Sequence, residues 1–89
     1  MPELSRFYGI IITMFAEIGG RHHRPHFHAS YQDSRASFAI EDVEILGGAL
    51  PQKQRRIVEA WAEIHKDELM ACWQQLQAGK AAKKIEPLR

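Results

Sequence analysis

An unbroken run without helix breakers fills nearly a third of this 89-residue chain. Neither glycine nor proline occurs from Gln52 to Ala78, Pro51 suits a first helical turn, and Gly79 is a common helix stop. One amphipathic helix of roughly 40 Å is therefore predicted over 51–78, longer than a small sheet can cover, so we expect it to bend, overhang or meet a partner. Its core-facing stripe contains these residues: Val58, Trp61, His65, Leu69, Cys72 and Leu76.

The first fifty residues carry the patterns of β-strands. Phe7 to Phe15 is apolar on both alternation sets and is predicted to form one strand. His26 to Tyr31 and Arg35 to Ile40 alternate between apolar and polar residues, as half-buried strands do. Val43 to Leu46 is a short fourth candidate that ends at Gly47-Gly48.

The pairing of the two alternating strands decides where the histidines lie. A two-residue turn at Asp33-Ser34 brings both apolar sets to one face of the sheet. If the helix covers that face, His26 and His28 lie on the opposite face. The same register gives each histidine a neighbour on the next strand: His26 opposite Glu41, and His28 opposite Ala39.

These patterns predict an α+β fold, with an antiparallel sheet of three to four strands and one long C-terminal helix packed on one face. We expect a single domain over 1–89, divided into a sheet region at 1–50, the helix at 51–78 and a basic tail at 79–89. The net charge of +1 argues against bulk electrostatic binding of nucleic acid. The lone Cys72 and the lack of a leader or membrane anchor at the amino terminus favour a cytoplasmic protein without membrane contact.

Four of the five histidines lie in the stretch RHHRPHFH. His26 and His28 occupy alternate positions of a predicted strand, a spacing from which both rings can reach one metal ion. His22 could add a third ligand, and Glu41 could ligate or orient His26. No cofactor is required by this pattern, but a divalent ion such as zinc or nickel is one hypothesis.

The same stretch supports a second hypothesis, metal-independent RNA cleavage. Histidines act as general acid and base, and arginines hold phosphate. The catalytic candidates are His26, His28, His23 and Arg24, and RNA would then be a ligand. Whether the chain is an enzyme stays open, since a histidine-rich solvated surface without chemistry fits the pattern equally well.

A third hypothesis is protein interaction. The face that carries the histidines combines apolar residues of the first strand with ionisable ones, as a protein interface with a polar rim does. The partner would be a second copy of the chain or another small protein. We rank this hypothesis first.

Four segments give the chain a family resemblance: SRFYGIIITMF, RPHFHASY, RIVEAWAEIHKDELMACW and KKIEPL. In these blocks and their order it resembles the bacterial family known as domain of unknown function 4160. In that family an acidic residue and two prolines commonly precede the H-F-H, whereas here Arg21 to Pro25 stand there. The resemblance implies a small bacterial protein, often encoded beside another small protein in a layout similar to toxin-antitoxin pairs, and no established activity.

Overall fold

The fold was determined as a computed structural model, which describes residues 3–15 and 24–88. Five strands precede two helices along the chain. Their bounds are β1 Glu3–Phe7, β2 Ile10–Thr13, β3 His26–Tyr31, β4 Ser34–Ala39, β5 Ile45–Ala49, α1 Gln52–Ile64 and α2 Lys66–Gln77.

The strands form one antiparallel sheet in the order of the sequence, β1-β2-β3-β4-β5. The predicted α+β class is confirmed, as is the antiparallel sheet. The described residues contain five strands, however, and the helical region is divided into two helices. Both differences have local causes.

The extra strand comes from a tight turn within the first apolar run. Tyr8 and Gly9 have φ angles of +50° and +78°, and they connect Phe7 to Ile10 as neighbours on paired strands. Two consecutive residues with positive φ match the twist of a two-residue hairpin. The prediction of one strand over Phe7–Phe15 was therefore wrong, because Gly9 marks a turn.

The turn between β3 and β4 lies one residue earlier than predicted, at Gln32-Asp33, with φ of +52° at Gln32. Moving the turn by one residue shifts the pairing by two, so the faces of both strands are preserved. The partners change, however, and both predicted histidine pairings are wrong. The observed pairs are His26 with Ala39 and His28 with Ser37.

The fifth strand runs through the two glycines instead of ending before them. β5 pairs with β4 from Ile45 to Ala49, with a register shift opposite Ser37 and Phe38. Val43, the predicted start of this strand, has a φ of +57° and lies in the preceding turn. The Ala39 amide closes that turn by donating to the Glu44 carbonyl at 2.8 Å.

His65 separates the two helices. Its φ and ψ are −107° and +24°, outside the helical values, so α1 ends at Ile64 and α2 begins at Lys66. The ring of His65 packs on Trp61 with centroids 5.4 Å apart, and its Nδ1 lies 2.6 Å from Glu68 Oε1. The one continuous helix predicted over 51–78 is therefore interrupted at this residue.

The core lies between the helices and one face of the sheet. Trp61 is fully buried. Its ring packs on those of Phe7 and Phe27, with centroids 5.3 and 6.0 Å apart. Phe27 in turn stacks on Phe38 across the β3-β4 pair. The alternating apolar residues of β3 thus meet the helices, as predicted.

The basic tail also belongs to the fold. Its Ile85 is buried, and the Ile85 amide donates to the Leu4 carbonyl of β1 at 2.8 Å. Trp61 Nε1 donates to the Glu86 carbonyl at 2.8 Å, which fixes the tail to α1 as well. Within the described chain the tail therefore lies beside β1, one of the two edge strands of the sheet.

Candidate functional site

The candidate site lies on the sheet face opposite the Trp61 core. The strand register places Thr13, His28, Ser37 and Gly47 in one row across β2, β3, β4 and β5. Residues opposite one another on neighbouring strands share a face of the sheet. A hydroxyl, an imidazole, a second hydroxyl and a glycine thus follow one another along this row.

His28 is held in place by contacts on two sides. Its Nδ1 lies 3.2 Å from Ser37 Oγ, and its ring forms a T-shaped contact with the Phe15 ring, with centroids 5.0 Å apart. The ring of His26 is also close, with a centroid separation of 5.3 Å. The structure thus brings together the two strand histidines that the sequence singled out.

His26 also contacts a helix, although its face of the strand was expected to point away from the helical layer. Trp73 of α2 packs on the His26 ring with centroids 5.2 Å apart, and His26 Nδ1 lies 2.8 Å from the Arg24 carbonyl oxygen. The expected separation of the helical layer and His26 was therefore wrong. The helical region is interrupted at His65, and α2, which follows this interruption, carries the Trp73 ring that meets His26.

A groove opens beside His28 on the same face. Its volume is about 520 Å³. The described residues that line it come from four parts of the sheet: Phe15, His28, Arg35, Ala36, Ser37, Gly47 and Gly48. Since Gly47 has no side chain, this wall of the groove is formed by backbone, and Arg35 contributes a positive charge.

Arg24, a predicted catalytic residue, is engaged by acidic side chains. Its guanidinium donates to Asp42 Oδ2 at 3.0 Å and to Glu44 Oε2 at 3.2 Å. These bonds connect the start of β3 to the turn before β5. They raise the pKa of Arg24, and the hydrogen bond from Arg24 holds the pKa of Asp42 below its ordinary value. This arrangement fits a structural clamp better than a free phosphate-binding arginine.

The metal hypothesis loses one of its predicted contacts. Glu41 is exposed beyond the end of β4 and does not pair with His26, because the register is shifted by two residues. In the two described segments, no group of three histidine, cysteine or carboxylate side chains could hold a metal ion. His22 and His23 lie outside the described residues, so a site that includes them stays a hypothesis.

Sequence reasoning missed Ser37, Thr13 and Phe15 as members of this site. The predicted register placed Ala39, and not Ser37, opposite His28. Alternation along β4 already placed Ser37 on the same face as Arg35. This placement does not change when the strand pairing shifts by two residues. Phe15 was predicted only as the last residue of the first strand and was not connected with His28.

Comparison with known proteins gives a family and no activity. The model of the family described as "Domain of unknown function (DUF4160)" matches residues 9–74, about three quarters of the chain. No curated protein and no solved structure matches the chain. No helix in the described part of the chain has the length and apolar character needed to cross a membrane.

Proposed function

The chain belongs to the DUF4160 family, and we propose that it is a protein-interaction module that pairs with a second copy of itself through β5. The observation that carries this proposal is the composition of that strand. Ile45–Ala49 contains no charged residue and no proline, yet it stands at the end of the sheet order. Soluble proteins usually protect such an edge with lysine, proline, a β-bulge or covering chain. Within the described chain, β5 has only the register shift against β4.

The exposure of β5 supports the same proposal. Leu46 is 43% exposed, and the glycines and alanine after it are exposed too. β4 bonds to one side of this strand, and no other described strand pairs with it. Its outer backbone groups can therefore bond to an added strand, as in β-augmentation.

A second copy suits this edge because antiparallel self-pairing brings no like charges together. If two β5 strands pair about Gly47, Leu46 comes opposite Gly48, and Glu44 comes opposite Leu50 of the other copy. An isologous contact of this kind is the commonest geometry of soluble homodimers. The opposite edge is less available, since the tail beside Leu4 already bonds to β1.

The test is the molar mass of the untagged chain by light scattering, for wild type and for Leu46→Lys. We expect the wild type to have twice the mass of one chain and Leu46→Lys to be monomeric, because lysine on an edge strand opposes pairing. Ile64→Lys is the matched control: Ile64 is 66% exposed on α1 and should leave the dimer intact. A monomeric wild type, or a dimeric Leu46→Lys variant, would overturn the proposal.

Hydrogen exchange gives a second readout that does not require a variant. Amide protons of Leu46, Gly47 and Gly48 that point outward should exchange more slowly as protein concentration rises through the dimerisation range. Pairing with another small protein, as in a toxin-antitoxin-like pair, is the competing outcome. If the wild type is monomeric alone but binds the neighbour-encoded protein through β5, then that protein, and not a second copy, is the partner.

A further inference from the structure

The groove beside His28 carries a charge pattern that the interaction proposal does not use. No acidic residue is found among the described residues that line it. Arg35 is exposed there and forms no ion pair within the described chain, whereas Arg6 and Arg24 both bond to carboxylates. An arginine that lies beside an open groove and has no carboxylate partner can bind an external anion.

A hydroxyl and an imidazole complete the anion site. Ser37 lies two residues from Arg35 on the same face of β4, and its hydroxyl is in contact with His28 Nδ1. Both side chains line the groove together with Arg35. Proteins use guanidinium, hydroxyl and imidazole groups to bind phosphate oxygens.

The rest of the groove suits the organic part of a ligand. Phe15 supplies an aromatic wall, and Gly47 leaves space, since a Cβ built there meets no atom within 4 Å. The volume of about 520 Å³ lies within the range of small-molecule sites. Inorganic phosphate alone would fill only part of this space.

We propose that this groove binds a phosphate ester of nucleotide size, with Arg35 and Ser37 on the phosphate and Phe15 beside the organic group. The ester could be a free mononucleotide or one residue of an RNA strand. In both cases Arg35 is the residue on which affinity depends most. The proposal does not require strand pairing, because Arg35, Ser37 and Phe15 all belong to one chain and line the same groove.

The test is calorimetric titration of the wild-type chain at fixed salt with adenosine 5′-monophosphate, adenosine, inorganic phosphate and a short single-stranded RNA. We expect the monophosphate to bind more tightly than inorganic phosphate, and adenosine to bind at least about tenfold more weakly than the monophosphate. Binding of RNA without the monophosphate would assign the phosphate to an RNA strand. Equal binding of adenosine and its monophosphate, or no binding of any phosphate ligand, would overturn the proposal.

Variants separate a specific site from general attraction to a basic protein. Arg35→Gln should weaken binding at least about tenfold, since it removes the charge and the paired donors. Arg56→Gln, which removes an exposed charge from α1, should leave affinity unchanged. Ser37→Ala should weaken binding severalfold, with Ser34→Ala, which lies on the opposite face of the same strand, as its control. Equal affinity of Arg35→Gln and wild type would exclude this groove as the site.

Discussion

Gly48 lies so close to Arg35 that a Cβ added to the glycine would stand 2.2 Å from the Arg35 carbonyl oxygen. Gly48 also has a φ of +71°, a conformation that other residues adopt at a cost. Gly47 differs on both counts, since its φ is not in this region and its added Cβ meets nothing within 4 Å. Two adjacent glycines therefore have different roles, one required by the fold and one that leaves the groove open.

Alanine at these two positions should have unequal effects. Gly48→Ala is expected to lower the free energy of unfolding by about 1–3 kcal/mol, because the backbone of β4 must move or β5 must detach. Gly47→Ala should change it by less than about 0.5 kcal/mol. Urea denaturation followed by tryptophan fluorescence measures both. Equal stabilities of the two variants would contradict the close approach of Gly48 to β4.

The tail should contribute to stability through one side chain. Ile85 is 4% exposed, so Ile85→Ala is expected to lower the free energy of unfolding by about 2–4 kcal/mol. Lys84→Ala changes the exposed neighbour and serves as the control, with little expected effect. If Ile85→Ala unfolds at the same urea concentration as Lys84→Ala, the tail does not dock on β1 in solution.

Cys72 should react slowly while the chain is folded. Its thiol is buried and donates to the Lys83 carbonyl at 3.3 Å, and burial raises its pKa, helped by the Glu68 carboxylate. Alkylation by iodoacetamide at about pH 8.5 should be at least about tenfold slower than in urea. Mass spectrometry of timed samples gives both rates, and similar rates would show that the thiol is accessible.

The raised pKa of Cys72 also sets the sign of a pH effect on stability. Above the ordinary thiol pKa the unfolded chain loses this proton, while the folded chain still keeps it. The stabilisation is thus complete below the ordinary pKa and is lost as pH rises through the folded-state value. Cys72→Ala should therefore show a shallower loss of stability at alkaline pH than wild type, in urea titrations at several pH values.

Arg24 should govern the titration of Asp42. The hydrogen bond from Arg24 lowers the Asp42 pKa. The Asp42 carboxylate therefore stabilises the folded chain at pH values above its ordinary pKa. This stabilisation is lost as pH falls through the folded-state pKa. In Arg24→Gln, we expect the Asp42 pKa to return towards its ordinary value. Carbon-detected NMR of the carboxyl group measures it, and an unchanged pKa would rule out the clamp.

Much of the fold was predictable because strand alternation survives small errors of register. The turn at Gln32-Asp33 moved the β3-β4 pairing by two residues, yet Phe27 and Phe38 still reached the core. Partners across the sheet do not survive such a shift, which is why Ser37 was not connected with His28. The alternation of residues along a strand thus determines which side chains face the core, and the position of the turn determines which residues pair across the sheet.

Two other features depended on backbone angles that composition does not reveal. Tyr8 adopts a positive φ although tyrosine rarely does, so within this apolar run only Gly9 marked the turn. His65 fits the apolar stripe of a continuous helix and nevertheless interrupts it. In both cases the backbone conformation departs from the one that the local sequence pattern favours.

The bond between Ile85 and Leu4 makes the two ends of the sheet unequal. A sheet with two open edges can recruit copies at both ends and grow into a fibre, whereas a sheet with one occupied edge can only close into a finite pair. Under the proposed pairing through β5, the docked tail blocks the second edge of the sheet and so limits assembly to a dimer. Deleting it would uncover β1 and remove the limit on polymer length.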